Sequence, residues 1–93
     1  MLSSAEKACS LMKVLSNTNR MMILCEISQR ECCVSELESE LEILQPTLSQ
    51  QLTVLKKEKL VKTRREGKQI YYSLCSAEVI AVMEVLYQLY CEK

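Results

Sequence analysis

From Glu31 to Leu74 three dissimilar segments follow one another almost without a gap, and their order constrains the fold more than any other feature. Glu31–Glu42 is a short acidic stretch, with Ser35-Glu36-Leu37-Glu38 spaced as a capping box that opens a helix ending near Leu41. A tight turn leads to Gln45-Pro46, where proline is acceptable at the first helical position. Beyond it Leu48, Leu52 and Leu55 recur at i, i+4 and i+7, the stripe of a helix with one buried face. Val61–Arg65 and Gln69–Leu74 read as two strands, with Ile70, Tyr72 and Leu74 alternating onto one face. Glu66-Gly67 lies in the tight connection, where glycine can take a positive φ. A short helix, a turn, a second helix and a basic hairpin describe a helix-turn-helix with a wing.

The flanks complete an all-helical frame. Ser3-Ser4-Ala5-Glu6 has capping-box spacing and opens helix 1, which runs to about Leu15. Asn17 caps helix 2, whose Met21, Ile23, Leu24 and Ile27 face inward. Ser76 caps helix 5, which runs to about Cys91 and is apolar on most of its circumference. So apolar a helix in a chain of 93 residues calls for a second subunit, which helices 1 and 5 are expected to receive. The expected fold is mainly α (α+β): one winged helix-turn-helix domain over residues 1–93, in the order helices 1, 2, 3 and 4, two hairpin strands, then helix 5, as a homodimer. No apolar run approaches the roughly 20 residues of a membrane span. Glu6 and Lys7 interrupt any signal-peptide pattern, so a cytoplasmic location is expected.

Net charge is zero, but charge is segregated. Residues 26–42 hold six Glu against one Arg, and residues 56–68 hold seven Lys or Arg against Glu58 and Glu66. A local basic patch is what phosphate contact requires, so double-stranded DNA is the expected partner. With its leucines inward, helix 4 leaves Gln45, Thr47, Ser49, Gln50 and Thr53 on its flanks and outer face. Gln can contact adenine in a bidentate manner, and Ser or Thr can reach bases or phosphates. Lys56 and Lys57 are placed for the backbone, and Arg64, Arg65 and Lys68 at the hairpin tip for phosphates or the minor groove. In a dimer, two recognition helices about 34 Å apart would match an inverted-repeat operator.

These segments resemble the ArsR family of winged-helix repressors. Leu15-Ser16-Asn17-Thr18-Asn19-Arg20 is similar to that family's entry to helix 2, Gln45-Pro46-Thr47-Leu48-Ser49-Gln50-Gln51-Leu52 to its recognition helix, and Arg64-Arg65-Glu66-Gly67-Lys68-Gln69-Ile70-Tyr71-Tyr72 to its wing. The resemblance covers nearly the whole chain and implies a dimeric repressor released by an inducer. Within the family the inducers are metal ions, metalloids, or reactive sulfur and oxidants.

Six cysteines are many for a cytoplasmic chain of this length, and they point to metal binding or redox chemistry. With no His and no Asp, the His-rich zinc sites found on helix 5 in parts of the family are ruled out, while zinc held by Cys ligands alone stays open. A metalloid sensor of the family carries Cys-Val-Cys at the start of helix 3. Here the residues are Cys33-Val34-Ser35, so a soft-metal site would need Cys32, Cys33 and a further thiol such as Cys9 across the dimer. Ile23-Leu24-Cys25 and Leu89-Tyr90-Cys91-Glu92 resemble the persulfide-sensing branch. That resemblance implies that Cys25 and Cys91 form a redox switch oxidised by reactive sulfur species. Helical rotation puts each at the edge of an apolar face, within reach of small oxidants. Cys9 and Cys75 read as small apolar core residues. No resident cofactor is implied. Without His, a phosphate-binding glycine loop or a nucleophile–base pair, an enzyme is not expected. A protein-interaction module on the same fold is the alternative of another class.

Overall fold

The computed structural model describes residues 1–91. The elements run α1 (Leu2–Leu15), α2 (Thr18–Gln29), β1 (Cys32–Cys33), α3 (Val34–Leu41), α4 (Thr47–Lys57), β2 (Val61–Glu66), β3 (Gln69–Leu74) and α5 (Ala77–Tyr90). This is the expected winged helix-turn-helix, with one element added. The pair Cys32–Cys33 joins the hairpin as a third antiparallel strand, in the order β1-β3-β2, with Cys32 opposite Tyr72 and Cys33 opposite Tyr71. Two residues show no alternation, so only their partner strand reveals them.

That strand also moves the start of α3. Pairing holds Cys33 extended (φ −92°, ψ 170°), and the helix begins at Val34, ahead of the expected Ser35 box. Glu36 takes the capping role: its carboxylate accepts from the Cys33 N–H at 2.9 Å. The bonds from Cys33, with Arg30 at 3.0 Å, hold the Glu36 carboxyl below its usual range. The Ser3–Glu6 box at helix 1 does not form either. The first turn closes two residues earlier through Ala5 N–H to the Met1 carbonyl, so α1 starts at Leu2 without a side-chain cap. Pro46 stands at the cap of α4 rather than inside it. The two other caps form as read: Asn17 accepts from the Arg20 N–H at 3.0 Å and Ser76 from the Val79 N–H at 3.3 Å.

The core is one cluster under the helix-turn-helix. Ile23, Leu24 and Ile27 of α2 meet Leu37 of α3, Leu48, Leu52 and Leu55 of α4, and Val79 and Met83 of α5. Helix α4 ends in a Schellman-type turn: the Leu60 N–H donates to the Leu55 carbonyl, with Lys59 left-handed at φ 62°. Leu60 is thereby turned under the core before the wing begins. Gly67 supplies the positive φ (63°) of the wing turn, where a side chain would be strained although space is open.

The expectation that Cys9 and Cys75 sit in the core fails. Cys9 and Cys75 are exposed, because α1 presents Cys9 outward and Cys75 lies on the link to α5 with its thiol near the Lys59 carbonyl. Ile70 is 42% exposed, since the wing tip extends beyond the core that Tyr72 and Leu74 touch. On α5 only Val79 and Met83 are buried within one subunit, leaving Ile80, Val85, Leu89 and Tyr90 in the open. Among the described residues, no helix is long and apolar enough to cross a membrane.

Candidate nucleic-acid interface and dithiol site

The leucine stripe sets the exposed face of α4. With Leu48, Leu52 and Leu55 buried, Gln45, Ser49, Gln50, Thr53 and Lys57 are exposed and Thr47 is half-buried. Ser49 donates to the Gln45 side chain, and the Thr53 hydroxyl donates to the Ser49 carbonyl at 2.8 Å. Lys56 and Lys57 occupy the last turn, where cations suit the helix dipole.

At the wing, Arg64, Arg65 and Lys68 are all exposed, but they are not equivalent. Arg64 is already engaged. Its Nε donates to both Glu31 carboxylate oxygens at 3.0 Å, another guanidinium nitrogen meets Glu66 at 2.6 Å, and the group lies 4.8 Å over the Tyr71 ring. Bonds to Glu31 and then Glu66 push its pKa up further. Glu31 lies between α2 and β1, so Arg64 tethers the wing to the body. Among the described residues the Arg65 side chain makes a single bond, to the Gly67 carbonyl at 3.2 Å.

Arg20 is a residue whose role the sequence did not disclose, although it ends the LSNTNR motif. Its Nε donates to the Val14 carbonyl at 2.6 Å and its other arm to Gln51 Oε1 at 3.0 Å. One side chain on α2 thus fastens the end of α1 to the inward flank of α4. The signal available in the sequence was an arginine one turn past a helix cap, between two apolar helices.

Cys25 and Cys91 come together. Their Sγ atoms lie 3.8 Å apart, one on the outer edge of α2 and one at the end of α5. Cys91 is exposed and Cys25 half-buried. Burial, then the Cys91 thiol and Glu26, push the Cys25 thiol above its ordinary pKa. Glu92, the last residue of the quoted motif, lies outside the described residues. Cys32 and Cys33 are in a different setting. Both are buried; Cys32 donates to the Arg30 carbonyl, and Cys33 contacts the Ser35 hydroxyl at 3.2 Å. Burial pushes Cys32 up to about 11, against the opposing pull of Arg30. Among the described residues, no cluster of three or more metal-ligating side chains forms within one subunit.

Comparison with known proteins agrees with this architecture. Residues 17–63 match the model of the bacterial regulatory protein, arsR family. The biofilm growth-associated repressor of Agrobacterium fabrum is 45% identical over 87 residues, which is 94% of this chain and 74% of that protein. The transcriptional activator HlyU of Vibrio cholerae is 42% identical over 92 residues, 99% of this chain and 85% of its own. The structure of reduced HlyU superposes with a TM-score of 0.93 over 98% of this chain and 96% of HlyU, at 43% identity. That of the repressor BigR from Xylella fastidiosa gives 0.91 over 98% and 90%, at 42% identity. A winged helix-turn-helix with these relatives places the chain in the ArsR family of bacterial regulatory proteins, as a DNA-binding transcription regulator.

Proposed function

We propose that this regulator is a cytoplasmic homodimeric repressor that leaves its operator when Cys25 and Cys91 are oxidised by reactive sulfur species. The observation that carries the reading is the 3.8 Å approach of two thiols from separate helices. A disulfide needs about 2.05 Å between sulfurs, so the thiols have under 2 Å to close.

The exposed Cys91 is the first nucleophile. Its thiolate attacks the sulfane sulfur of a persulfide RSSH and RSH departs, leaving Cys91 as its persulfide. The Cys25 thiolate then attacks the Cys91 sulfur and hydrosulfide leaves. The two cysteines lose two electrons, and the sulfane sulfur departs reduced. If both thiols carry persulfides, attack of one terminal sulfur on the other cysteine's inner sulfur expels hydrosulfide and leaves a three-sulfur bridge.

The link to DNA runs through α2. This helix carries Cys25 and, just over one turn earlier, Arg20, which grips Gln51 of α4. Drawing α2 toward α5 pulls on the seat of the recognition helix. A coupling of about 1–3 kcal/mol would weaken operator binding roughly 5- to 150-fold. Exposed Leu2 and Met12 on α1, with Ile80, Val85, Leu89 and Tyr90 on α5, support dimerisation through those helices. On an inverted repeat, Gln45, Thr47, Ser49, Gln50 and Thr53 would face the major groove. Lys57, Arg65 and Lys68 would meet the backbone, with Arg64 joining only if DNA displaces Glu31. The burial of Cys32 and Cys33 speaks against the soft-metal alternative.

The test is intact-mass analysis after exposure to an organic persulfide, paired with operator affinity. A Cys25–Cys91 crosslink with weakened binding is expected, and Cys25→Ser or Cys91→Ser should abolish both. Unchanged affinity, or modification confined to Cys32 and Cys33, would overturn the proposal.

A further inference from the structure

Beside the dithiol lies a cavity of about 240 Å³ between α2 and α5, walled by Met21, Met83, Leu86, Tyr87 and Tyr90 as well as the two thiols. That is room on the order of eight water molecules at about 30 Å³ each. Among the described residues that line it, none is charged. Glu26 influences Cys25 through its field but is not part of the wall, and Arg30 reaches its carboxylate at 3.7 Å.

Methionine and tyrosine side chains give an adaptable apolar wall, and a charged group entering it would lose hydration without gaining an ionic partner from the described wall. The reacting sulfurs form part of that wall, so a molecule held there presents its own sulfur to them. We infer that this cavity selects neutral, apolar sulfane-sulfur donors, of the dialkyl trisulfide class, over donors carrying charged groups. The inference rests on the dithiol reading above and adds the kind of molecule the dithiol accepts.

The reaction balances with that donor alone. The Cys91 thiolate attacks an outer sulfur of RS–S–SR, forming Cys91–S–SR and expelling the perthiolate RSS⁻. The Cys25 thiolate attacks the Cys91 sulfur, forming the Cys25–Cys91 disulfide and expelling RS⁻. The cysteine pair gives up two electrons and the trisulfide takes them.

The test compares crosslinking rates of the reduced protein with dipropyl trisulfide and with glutathione trisulfide. Acid-quenched samples are read by intact mass, and each rate is divided by that of the same donor with free N-acetylcysteine. The normalised rate with dipropyl trisulfide should exceed the other at least tenfold, since each buried methylene favours binding severalfold. Tyr87→Lys sets a cation at the cavity wall on a residue outside the exposed apolar surface assigned to the dimer. It should lower the ratio at least threefold in a variant whose cooperative melting shows that it is folded. Equal normalised rates, or a ratio unmoved in a folded Tyr87→Lys variant, would overturn the selectivity while leaving the switch intact. Failure of both donors to crosslink Cys25 with Cys91 would overturn both readings.

Discussion

Arg20→Met should cost this domain a large share of its stability. The guanidinium donates to the Val14 carbonyl at 2.6 Å and to Gln51 Oε1 at 3.0 Å. Methionine keeps the stem and removes both bonds. Charged hydrogen bonds contribute about 1.5–3 kcal/mol each, and the site is only half-buried, so water replaces part of the loss. The expected total is about 2–3 kcal/mol, against roughly 5–14 kcal/mol for a domain of this size. With a urea slope of about 1–2 kcal/mol per molar, the midpoint should fall by roughly 1–3 M. The assay is urea unfolding followed by far-ultraviolet circular dichroism, at one fixed protein concentration because association would make stability depend on it. Gln51→Met should cost about 1 kcal/mol, and the double variant should show about 1 kcal/mol of coupling between the two positions. Operator affinity should fall as well, since α4 loses its tie to α2. An Arg20→Met variant within about 0.5 kcal/mol of the parent, or no coupling to Gln51, would refute the idea that this side chain holds α1, α2 and α4 together.

Further outcomes follow from particular contacts. Lys68→Ala should weaken operator binding and flatten its salt dependence by about one unit on a log–log plot; an unchanged slope would remove Lys68 from the interface. Glu31→Gln frees Arg64 from one of its two carboxylates, so DNA affinity measured by fluorescence anisotropy should rise, whereas a fall would make the tether more important than the freed charge. Cys32, held up to about 11 in the fold against 9.0 ordinarily, stabilises the protein fully below pH 9. As pH rises from 9 to 11 the unfolded thiol ionises first, so stability on the order of 2–3 kcal/mol at most is lost across that window. Urea melts across that window should show a shallower decline for Cys32→Ala than for the parent. Lys59→Gly relieves a left-handed residue at the end of α4 and should raise stability by about 0.5–1 kcal/mol; a loss would mean that the Lys59 side chain contributes more than its backbone strain.

Local pattern and spacing were enough to identify most of this fold. The leucine stripe at 48, 52 and 55 can be buried in only one helical register, and that register leaves the polar face of α4 outside. Asn17 and Ser76 cap the nearest N–H groups, a bond whose partners lie three residues apart and so can be read from sequence alone. The resemblance to a persulfide-sensing branch singled out Cys25 and Cys91. Pattern reading failed where a distant segment decided the outcome. Cys32–Cys33 is a strand only because β3 offers it an edge, and that pairing moves the start of α3 from Ser35 to Val34. Lys59 is left-handed because Leu60 must turn under the core, although no glycine marks the site.

Sequence therefore determined what short-range bonds and helical periodicity govern: the helices, the hairpin, the charge segregation and the exposed face of α4. Tertiary structure alone decided which distant groups meet. It set the two candidate thiols 3.8 Å apart across 66 positions, tied Arg64 to Glu31 across 33, and linked Arg20 to Gln51 across 31. Such contacts depend on how packed helices and strands are oriented, which burial of the whole core fixes and no local stretch of sequence encodes.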